Sequence, residues 1–241
     1  MTSPYGTEEL ASLLKRLAER DREFRVFGSS YHRYRVGPVL PESELSSFEA
    51  QHEIRLPEDF RSFVTHIANG GAGPFYGLDP LRTVGPNVAL PFPLREAGEL
   101  SDEDDEGRYG DGGGPGIFSF CHQGCGYFSH LVLKGPEYGT VWDGDASFHP
   151  TGLTFSEWYG SWATQAIQLL ENESLVDRIQ TGMSKQKVFE LTGDDWRSYT
   201  SKDGTKHCLF GTRTPADLDV DEEGTVTSIK PWSSIQVRPT K

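Results

Sequence analysis

The sequence predicts an α+β protein whose helices pack on an antiparallel sheet, with a smaller α+β unit after it. Before residue 70, apolar residues recur at the spacing of amphipathic helices. From residue 117, short aromatic and β-branched runs are separated by turn residues, which is typical of antiparallel strands. Helices and then strands follow again after residue 170, so we expect two domains, at residues 1–170 and 171–241.

Two amphipathic helices open the predicted first domain. The first ends near residues 20–22, before a strand-like F-R-V-F segment, and its apolar face is formed by Leu10, Leu13, Leu14 and Leu17. This face could lie in the core or could meet a partner. A second helix begins at Pro41 and places Leu45 and Phe48 on one side.

The segment L-P-E-D-F-R-S-F-V-T-H-I-A-N-G-G, residues 56–71, predicts the best-marked helix of the chain. Pro57 opens it, and Glu58 and Asp59 complement the positive end of its dipole. One apolar stripe follows, made of Phe60, Phe63, Val64, Ile67 and Ala68. The helix should end at residues 69–71, because Asn and Gly adopt the left-handed conformation at low cost.

Residues 71–116 are rich in Gly and Pro and show little periodicity. Connections of this length inside a compact domain are usually functional or disordered. The segment contains an acidic run, formed by Asp102, Glu103, Asp104, Asp105 and Glu106. The run could be a solvated, mobile face of charges or could grip a basic partner, and the sequence leaves both alternatives open.

An antiparallel meander of three strands is expected next. The strands are predicted at residues 117–120, 127–133 and 138–142. The direction of Trp142 depends on the strand register, so this side chain could belong to the core or could anchor a partner.

A long helix closes the predicted first domain. Thr154 and the glutamate three positions later form a capping box, and an aromatic helix face follows. Large aromatic residues on one face of an amphipathic helix are usually core residues. We therefore expect Trp158 and Trp162 to pack against Phe60 and Phe63.

The order of these motifs resembles the SUKH superfamily, the Smi/Knr-like proteins, over about residues 10–170. The resemblance depends on L-P-E-D-F, the following N-G-G, the short strand G-T-V-W-D and the helix F-S-E-W-Y-G-S-W. It implies helices packed on an antiparallel sheet. It also implies a binding role, since this superfamily includes many bacterial toxin-immunity proteins.

The C-terminal unit is predicted to contain two helices and a three-stranded antiparallel sheet. A short helix is expected near residues 175–179, and a second between its N-cap Ser184 and its stop Gly193. Strands are expected at residues 196–200, 207–210 and 225–229. The pattern G-M-S-x-x-x-V-x-x-L-x-G followed by W-x-x-Y resembles the BamE-like fold, which implies a protein-binding ααβββ module. Its membrane roles do not transfer, because the sequence lacks a secretion signal and a lipidated cysteine.

Composition narrows the class of partner and the compartment. The net charge of −13 disfavours contact with a phosphate backbone and favours solubility or capture of a basic partner. Hydrophobic residues make up 35% of the chain and aromatic residues 12%, so the core should be largely aromatic. Three cysteines cannot all pair, and the N-terminus has neither a basic region nor an apolar run. We therefore expect reduced thiols and a cytoplasmic location.

The cysteines offer the strongest candidate for a metal or catalytic site. Cys121 and Cys125 supply only one closely spaced pair for zinc, which His122 and His130 could complete. A structural role is expected instead, because buried cysteine behaves as a small apolar residue. Cys121 and His122 are neighbours on a predicted strand and should point to opposite faces, which argues against a nucleophile pair.

Two further motifs have simpler explanations than ligand binding. The loop D-G-G-G-P-G lacks the Lys and the Ser or Thr of a phosphate-binding loop. Asp143 and Asp145 could bind calcium, but a tight Asp-Gly turn explains both residues. We therefore assign no catalytic, cofactor-binding or metal-binding residues.

The sequence thus predicts a non-enzymatic immunity protein that neutralises a cognate polymorphic toxin in the cytoplasm by occluding its active site. The toxin should be basic, and the resemblance implies nucleases or nucleotide-modifying enzymes as targets. Neither nucleic acid nor membrane is expected as a direct partner. The expected partner-binding residues are the acidic run at 102–106 with Tyr109 and Tyr76 as aromatic anchors. The alternative is a regulatory or scaffolding protein of the Smi/Knr type.

Overall fold

The structure is a computed structural model that describes residues 5–81, 84, 87–100, 114–145, 147–200 and 207–239. Within these residues the chain forms helices and two antiparallel sheets, one of five strands and one of four. The predicted α+β class is therefore confirmed, with helices packed on an antiparallel sheet in the first part of the chain.

In the described part of the chain, four helices precede most of the first sheet: α1 (Thr7–Arg20), α2 (Ser29–His32), α3 (Glu42–Gln51) and α4 (Glu58–His66). The apolar face of α1 is buried at Leu10, Leu14 and Leu17. This face therefore belongs to the core, and the alternative of a partner-facing helix does not apply.

Helix α4 ends at His66, before the N-G-G motif that the sequence predicts as its stop. Gly71 lies beyond the helix with a φ of 100°, and a Cβ atom added there would lie 2.5 Å from the carbonyl oxygen of Arg35. The glycine is thus needed for the close approach of two backbone segments. Pro57 also differs slightly from prediction, because it precedes the first helical residue.

The first sheet has the strand order β1-β5-β4-β3-β2. Its strands are β1 (Gly98–Glu99), β2 (Ile117–Gly124), β3 (Tyr127–Val132), β4 (Thr140–Gly144) and β5 (Ser147–Thr154). The predicted meander of β2, β3 and β4 is confirmed. Strands β1 and β5 were not predicted. β5 contains Pro150 and Gly152, which weaken a strand pattern.

Side chains of this sheet alternate between two apolar clusters, because successive residues of a strand point to opposite faces. The larger cluster, which the helices cover, takes Phe118, Leu131 and Val141 from the strands. The smaller cluster takes their neighbours Ile117, Val132 and Trp142. Trp142 is fully buried, so it is a core residue rather than a binding anchor.

The larger cluster is rich in aromatic residues, as the composition predicts. Trp158 and Trp162 are buried in it together with Phe60 and Phe63, as expected. The ring centroids of Phe63 and Tyr159 are 4.9 Å apart in a tilted arrangement that aromatic pairs favour.

Helix α5 (Phe155–Glu171) begins at the predicted capping box. The backbone N–H of Glu157 donates to Thr154 Oγ1, and the backbone N–H of Thr154 donates to the Glu157 carboxylate at 2.9 Å. Asp59 adds a link that the sequence did not predict, since its carboxylate accepts the backbone N–H of Ser156 at 2.9 Å. One side chain therefore joins the start of α4 to the start of α5.

The described residues of the C-terminal part contain two helices and four strands, one strand more than predicted. These elements are α6 (Glu173–Val176), α7 (Lys185–Thr192), β6 (Arg197–Thr200), β7 (His207–Phe210), β8 (Ala216–Val220) and β9 (Val226–Pro231). Ser184 and Gly193 begin and end α7 as expected. The missed strand, β8, reads A-D-L-D-V and buries alternate residues. The resemblance to the BamE-like fold stays a prediction.

The chain returns to the first core after β9, through residues 232–238, which we call the C-terminal strap. Ile235 forms an isolated parallel bridge with Val26 and is fully buried. Its backbone N–H donates to the carbonyl oxygen of Arg25 at 2.8 Å, and its carbonyl oxygen accepts the N–H of Phe27 at 2.9 Å. The domain division at residue 170 stays a prediction, and any such division must leave the strap with the first core.

Candidate functional site

A cleft of about 670 Å³ opens at the end of the first sheet where the β2–β3 and β4–β5 turns lie side by side. Phe128 in β3 pairs with Gly144 at the end of β4, which brings the two turns together. We call it the sheet-end cleft, and its lining includes Tyr76, Gln123, Tyr127, Asp143, His149 and Arg238. Clefts of this volume are large enough for a small molecule or for a side chain of a partner.

A hydrogen-bond network holds Asp143 at this cleft. Gln123 Nε2 donates to Asp143 Oδ1 at 2.6 Å and to Ser129 Oγ at 2.8 Å. The Ser129 hydroxyl donates to the same Oδ1 at 2.7 Å. The three residues come from β2, β3 and β4, so three neighbouring strands fix one carboxylate oxygen.

Two acceptors of this network have no hydrogen-bond partner among the described residues. They are Asp143 Oδ2 and Gln123 Oε1. An ionised carboxylate only accepts hydrogen bonds, so the group of Gln123 that contacts Oδ1 must be its NH₂ group. The amide oxygen of Gln123 is therefore left as an acceptor beside the carboxylate, on two residues that line the cleft.

The charge of Asp143 is incompletely compensated by its surroundings. Burial raises the pKa of Asp143, while hydrogen bonds from Ser129 and Gln123 and electrostatic interactions with Arg238 and His149 lower it. The net direction is upward, so the site stabilises the charged form less than water does. In the part of the chain that the structure describes, no ion pair includes Asp143.

Two tyrosine side chains, Tyr76 and Tyr127, line the cleft. Tyr76 is 37% exposed and Tyr127 is 54% exposed. The ring of Tyr76 stacks on His122 with centroids 5.6 Å apart and meets Phe27 edge to face at 5.4 Å. Tyr31, which is 76% exposed, extends this aromatic surface by an edge contact with Tyr76 at 6.0 Å. Partly exposed tyrosines held by their neighbours are typical of energetically important contacts in protein interfaces.

Two residues that line the cleft have an unusual backbone conformation. Phe75 and Cys125 each have a φ of 51°, in the left-handed region that side-chain-bearing residues rarely adopt. Phe75 directly precedes Tyr76, and Cys125 lies in the β2–β3 turn between Gln123 and Tyr127. Strain of this kind persists only where the surrounding structure fixes it, and it is frequent at functional sites.

The C-terminal strap forms one wall of the cleft through Gln236, Val237 and Arg238. Val237 is buried in the first core, whereas Arg238 is exposed. The cleft is therefore completed by residues that are more than 80 positions away from Asp143 in the sequence. No local pattern in the sequence could have indicated this wall.

Of the residues predicted to bind a partner, Tyr76 is the one that the structure describes, and it lies on the sheet-end cleft. The acidic run at 102–106 and Tyr109 lie outside the described residues. Their described neighbours in the chain are Leu100 and Gly114, which lie next to each other: a Cβ atom added to Gly114 would be 2.9 Å from Leu100 Cδ1. Leu100 also follows Glu99, which pairs with Ser147 beside the β4–β5 turn.

Asp143 was predicted to be part of a tight Asp-Gly turn, and this interpretation is wrong. Asp143 and Gly144 lie in β4, and the side chain of Asp143 bonds to two other strands. Its partners Gln123 and Ser129 are 20 and 14 positions away in the sequence. Residues so far apart in the sequence form no local motif, so the network could not be predicted from the sequence.

The cysteines do not form a pair in this structure. Cys121 is fully buried in the first core, and burial raises the pKa of its thiol well above its usual range. Cys125 is exposed in the turn. Within the described ranges, no group of three or more His, Cys, Asp or Glu residues is placed to hold a metal ion. The helices in these ranges are also too short or too polar to cross a bilayer.

Comparison with known proteins assigns the chain to a family. The sequence profile of the SMI1 / KNR4 family (SUKH-1) matches residues 40–161, about half of the chain. The chain belongs to the SMI1 / KNR4 family (SUKH-1). No curated protein and no solved structure matches the chain.

The SUKH-1 match extends from just before α3 into α5, so it contains Tyr76, Gln123 and Asp143. The resemblance to the SUKH superfamily is thereby confirmed, over a shorter range than predicted. Phe27 and the C-terminal strap lie outside the match, although they line the cleft. The lining of the sheet-end cleft therefore combines residues of the SUKH-1 region with residues from segments on either side of it.

Proposed function

We propose that this SUKH-1 protein is an immunity protein that binds a cognate protein toxin in the cytoplasm and neutralises it by occluding the toxin's active site. The observation that carries this proposal is the family match over residues 40–161. Members of this family are generally immunity or regulatory proteins without catalytic activity. We therefore propose a binding function and assign no catalytic residue.

The charge of the chain supports a basic toxin, such as a nuclease or another enzyme that acts on nucleotides. With 36 acidic and 23 basic residues, the chain attracts positively charged surfaces and repels phosphate backbones. Complementary charge increases the rate at which two proteins meet, and it covers a positively charged active site effectively. Direct binding of nucleic acid is not part of the proposal.

We propose that the acidic run at 102–106 steers the toxin and that Tyr109 and Tyr76 anchor it. Tyr76 is exposed at the sheet-end cleft, as an anchor must be. The described residues just before the run also lie near the cleft, because Glu99 pairs with Ser147 beside the β4–β5 turn. This proximity supports a common binding surface. Both proposed elements would then contact one face of the toxin.

The first experiment identifies the partner. The product of the adjacent open reading frame, if it is a large secreted protein with a variable C-terminal toxin domain, should co-purify with this chain and lose its activity. A neighbouring gene of that type whose product neither binds nor is inhibited would contradict the immunity function. It would favour the regulatory or scaffolding alternative of the Smi/Knr type.

The second experiment tests the acidic run. Replacing Asp102, Glu103, Asp104, Asp105 and Glu106 with Ser or Asn should slow association with the toxin about tenfold or more at low salt, because steering depends on long-range charge. Stopped-flow association rates at two salt concentrations measure the effect. In the wild-type complex the rate should fall as salt increases, and the variant should lose most of this dependence.

A matched control removes five exposed acids elsewhere: Glu8, Glu9, Asp177, Glu222 and Glu223. None of these forms an ion pair with the described residues. The control changes the net charge equally, so a larger effect of the acidic run separates a local role from the total charge. Equal rates for the two variants, or a rate insensitive to salt, would contradict the steering role.

A further inference from the structure

We infer that the sheet-end cleft receives an arginine side chain of the protein partner, with Asp143 and Gln123 as the acceptors of its guanidinium group. This inference rests on the proposed binding function and names the chemistry by which the partner is recognised. It follows from the arrangement of acceptors, charge and aromatic rings in the cleft.

The acceptors match the donors of a guanidinium group. Asp143 Oδ2 and Gln123 Oε1 are left without hydrogen bonds by the described residues, and their two side chains are joined by the 2.6 Å bond between Gln123 Nε2 and Asp143 Oδ1. A guanidinium group is planar and presents five N–H donors in a rigid fork, which suits adjacent acceptors better than a lysine ammonium does. The acceptors are also pre-organised, because Ser129 and Gln123 already hold Asp143 in position.

The charge of the cleft floor favours a cation. Asp143 is partly buried and has no ion-pair partner among the described residues, so its negative charge lacks both full hydration and a contacting counterion. A partner guanidinium would supply the missing charge and two charge-assisted hydrogen bonds. The carboxylate is already partly buried in the folded chain, so binding costs only the removal of the remaining water.

The walls of the cleft suit the flat faces of an arginine. Tyr76 and Tyr127 both line the cleft and are 37% and 54% exposed. Aromatic rings attract a guanidinium through cation–π contact and stacking, and arginine is favoured over lysine for this purpose. Gly124 makes room for the wall, because a Cβ atom there would lie 3.2 Å from the Tyr76 ring.

Arg238 provides an internal test of the inference. It lies on the strap wall, it is exposed, and its charge lowers the pKa of Asp143 without forming an ion pair in the described structure. If the cleft receives a cation, Arg238 should oppose binding, and its removal should strengthen it. The opposite result is expected for a cleft that receives an anion.

The probe is the peptide acetyl-Gly-Arg-Gly-amide, and the control peptide has citrulline, the uncharged isostere, in place of arginine. Titration of the full-length chain followed by ¹H–¹⁵N NMR should shift the signals of Gln123, Gly124 and Gly144 in the cleft. The arginine peptide should bind at least about tenfold more tightly than the citrulline peptide, because a hydrogen bond to a charged group is worth more than one between neutral groups.

Two variants of the chain should change the affinity for the arginine peptide in opposite directions. Asp143→Asn keeps the acceptor for Ser129 and Gln123 but removes the charge, and it should weaken arginine-peptide binding about tenfold. Arg238→Gln should strengthen it about two- to threefold, as expected for an exposed charge. Asp177→Asn removes one negative charge from an exposed position that does not line the cleft, and it should leave the affinity unchanged.

The inference is overturned if the arginine peptide causes no cleft shifts, if citrulline binds equally well, or if Asp143→Asn binds as tightly as the wild type. These outcomes are distinct from failure of the proposed function, because the peptide titration needs no toxin. A toxin that is neutralised equally by the wild type and by Asp143→Asn would leave the immunity function standing and would contradict the role of the cleft.

Discussion

Asp194 after helix α7 is fully buried and Asp143 in the first sheet is partly buried, and the chain surrounds the two carboxylates with different numbers of donors. Asp194 is 0% exposed, and each of its carboxylate oxygens accepts two hydrogen bonds. The donors are the backbone N–H groups of Thr212, Arg213 and Thr214 and the hydroxyl of Thr212. Asp143 accepts two hydrogen bonds, both at Oδ1.

This difference separates a structural carboxylate from one that is available for binding. Asp194 uses its whole acceptor capacity to hold the turn between β7 and β8, so it has nothing left to offer a ligand. Asp143 keeps one oxygen unused on a cleft that aromatic residues and a strained turn surround. Asp143 Oδ2 is not one of the described side-chain atoms that are both buried and without a hydrogen-bond partner, so it is open to water in the free chain and a partner can take the place of that water.

Removal of the Asp194 carboxylate should have the largest effect on stability. Asp194→Ala leaves three backbone N–H groups of one turn without their acceptor, and we expect it to lower the free energy of unfolding by about 3 kcal/mol or more. Urea unfolding followed by tryptophan fluorescence measures this change, since Trp196 is buried in the same part of the chain.

The neighbouring residue gives the control for this prediction. Asp195 is exposed, and Asp195→Ala should change the free energy of unfolding by less than about 0.5 kcal/mol. If the two variants were equally stable, the turn would not depend on the carboxylate of Asp194. That result would contradict the structural role that distinguishes Asp194 from Asp143.

Asp143→Asn should change the free energy of unfolding less than Asp194→Ala does, and in the opposite direction. Burial raises the pKa of Asp143 in the folded state, so ionised Asp143 destabilises the fold relative to an exposed aspartate. We expect Asp143→Asn to be as stable as the wild type at pH 7 or more stable. The variant keeps an oxygen acceptor for Ser129 and Gln123, so the network remains.

The pH dependence of this difference follows from the direction of the shift. The wild type gains stability as pH falls through the raised pKa, because the folded state then binds the proton more readily than the unfolded chain. The advantage of Asp143→Asn should therefore shrink between pH 7 and pH 4, as measured by urea unfolding at each pH. A variant that is clearly less stable than the wild type at pH 7 would show that the charge of Asp143 is needed for folding.

The fold was largely predictable because its determinants are local. The capping box at Thr154, the stop at Gly193 and the buried face of α1 are all encoded by residues within a few positions of one another. Two of the strands that were not predicted contain residues that are unfavourable in strands. β5 contains Pro and Gly, and β8 alternates aspartate with small or aliphatic residues. In both cases pairing with a neighbouring strand overrides a weak local preference.

The candidate site was less predictable because residues from distant parts of the chain assemble it. Tyr76 was identified from its chemistry and lies on the cleft, but its partners Phe27 and His122 are 49 and 46 positions away. Asp143 was assigned to a turn, since its bonds to Gln123 and Ser129 exist only once the strands have paired. The strap that carries Arg238 reaches the cleft through a bridge to Val26, which no motif encodes.

The most direct test is a measurement of the pKa of Asp143 by ¹³C NMR of its carboxylate, in the free chain and in the chain saturated with the arginine peptide. The groups that face this carboxylate are Gln123, Ser129, His149, Arg238 and the thiol of Cys121. In the free chain the pKa should exceed the value of about 3.9 for an exposed aspartate, and the arginine peptide should lower it. The citrulline peptide should leave it unchanged. A free pKa below that value, or one that the arginine peptide does not lower, would contradict an uncompensated charge that awaits a cationic partner.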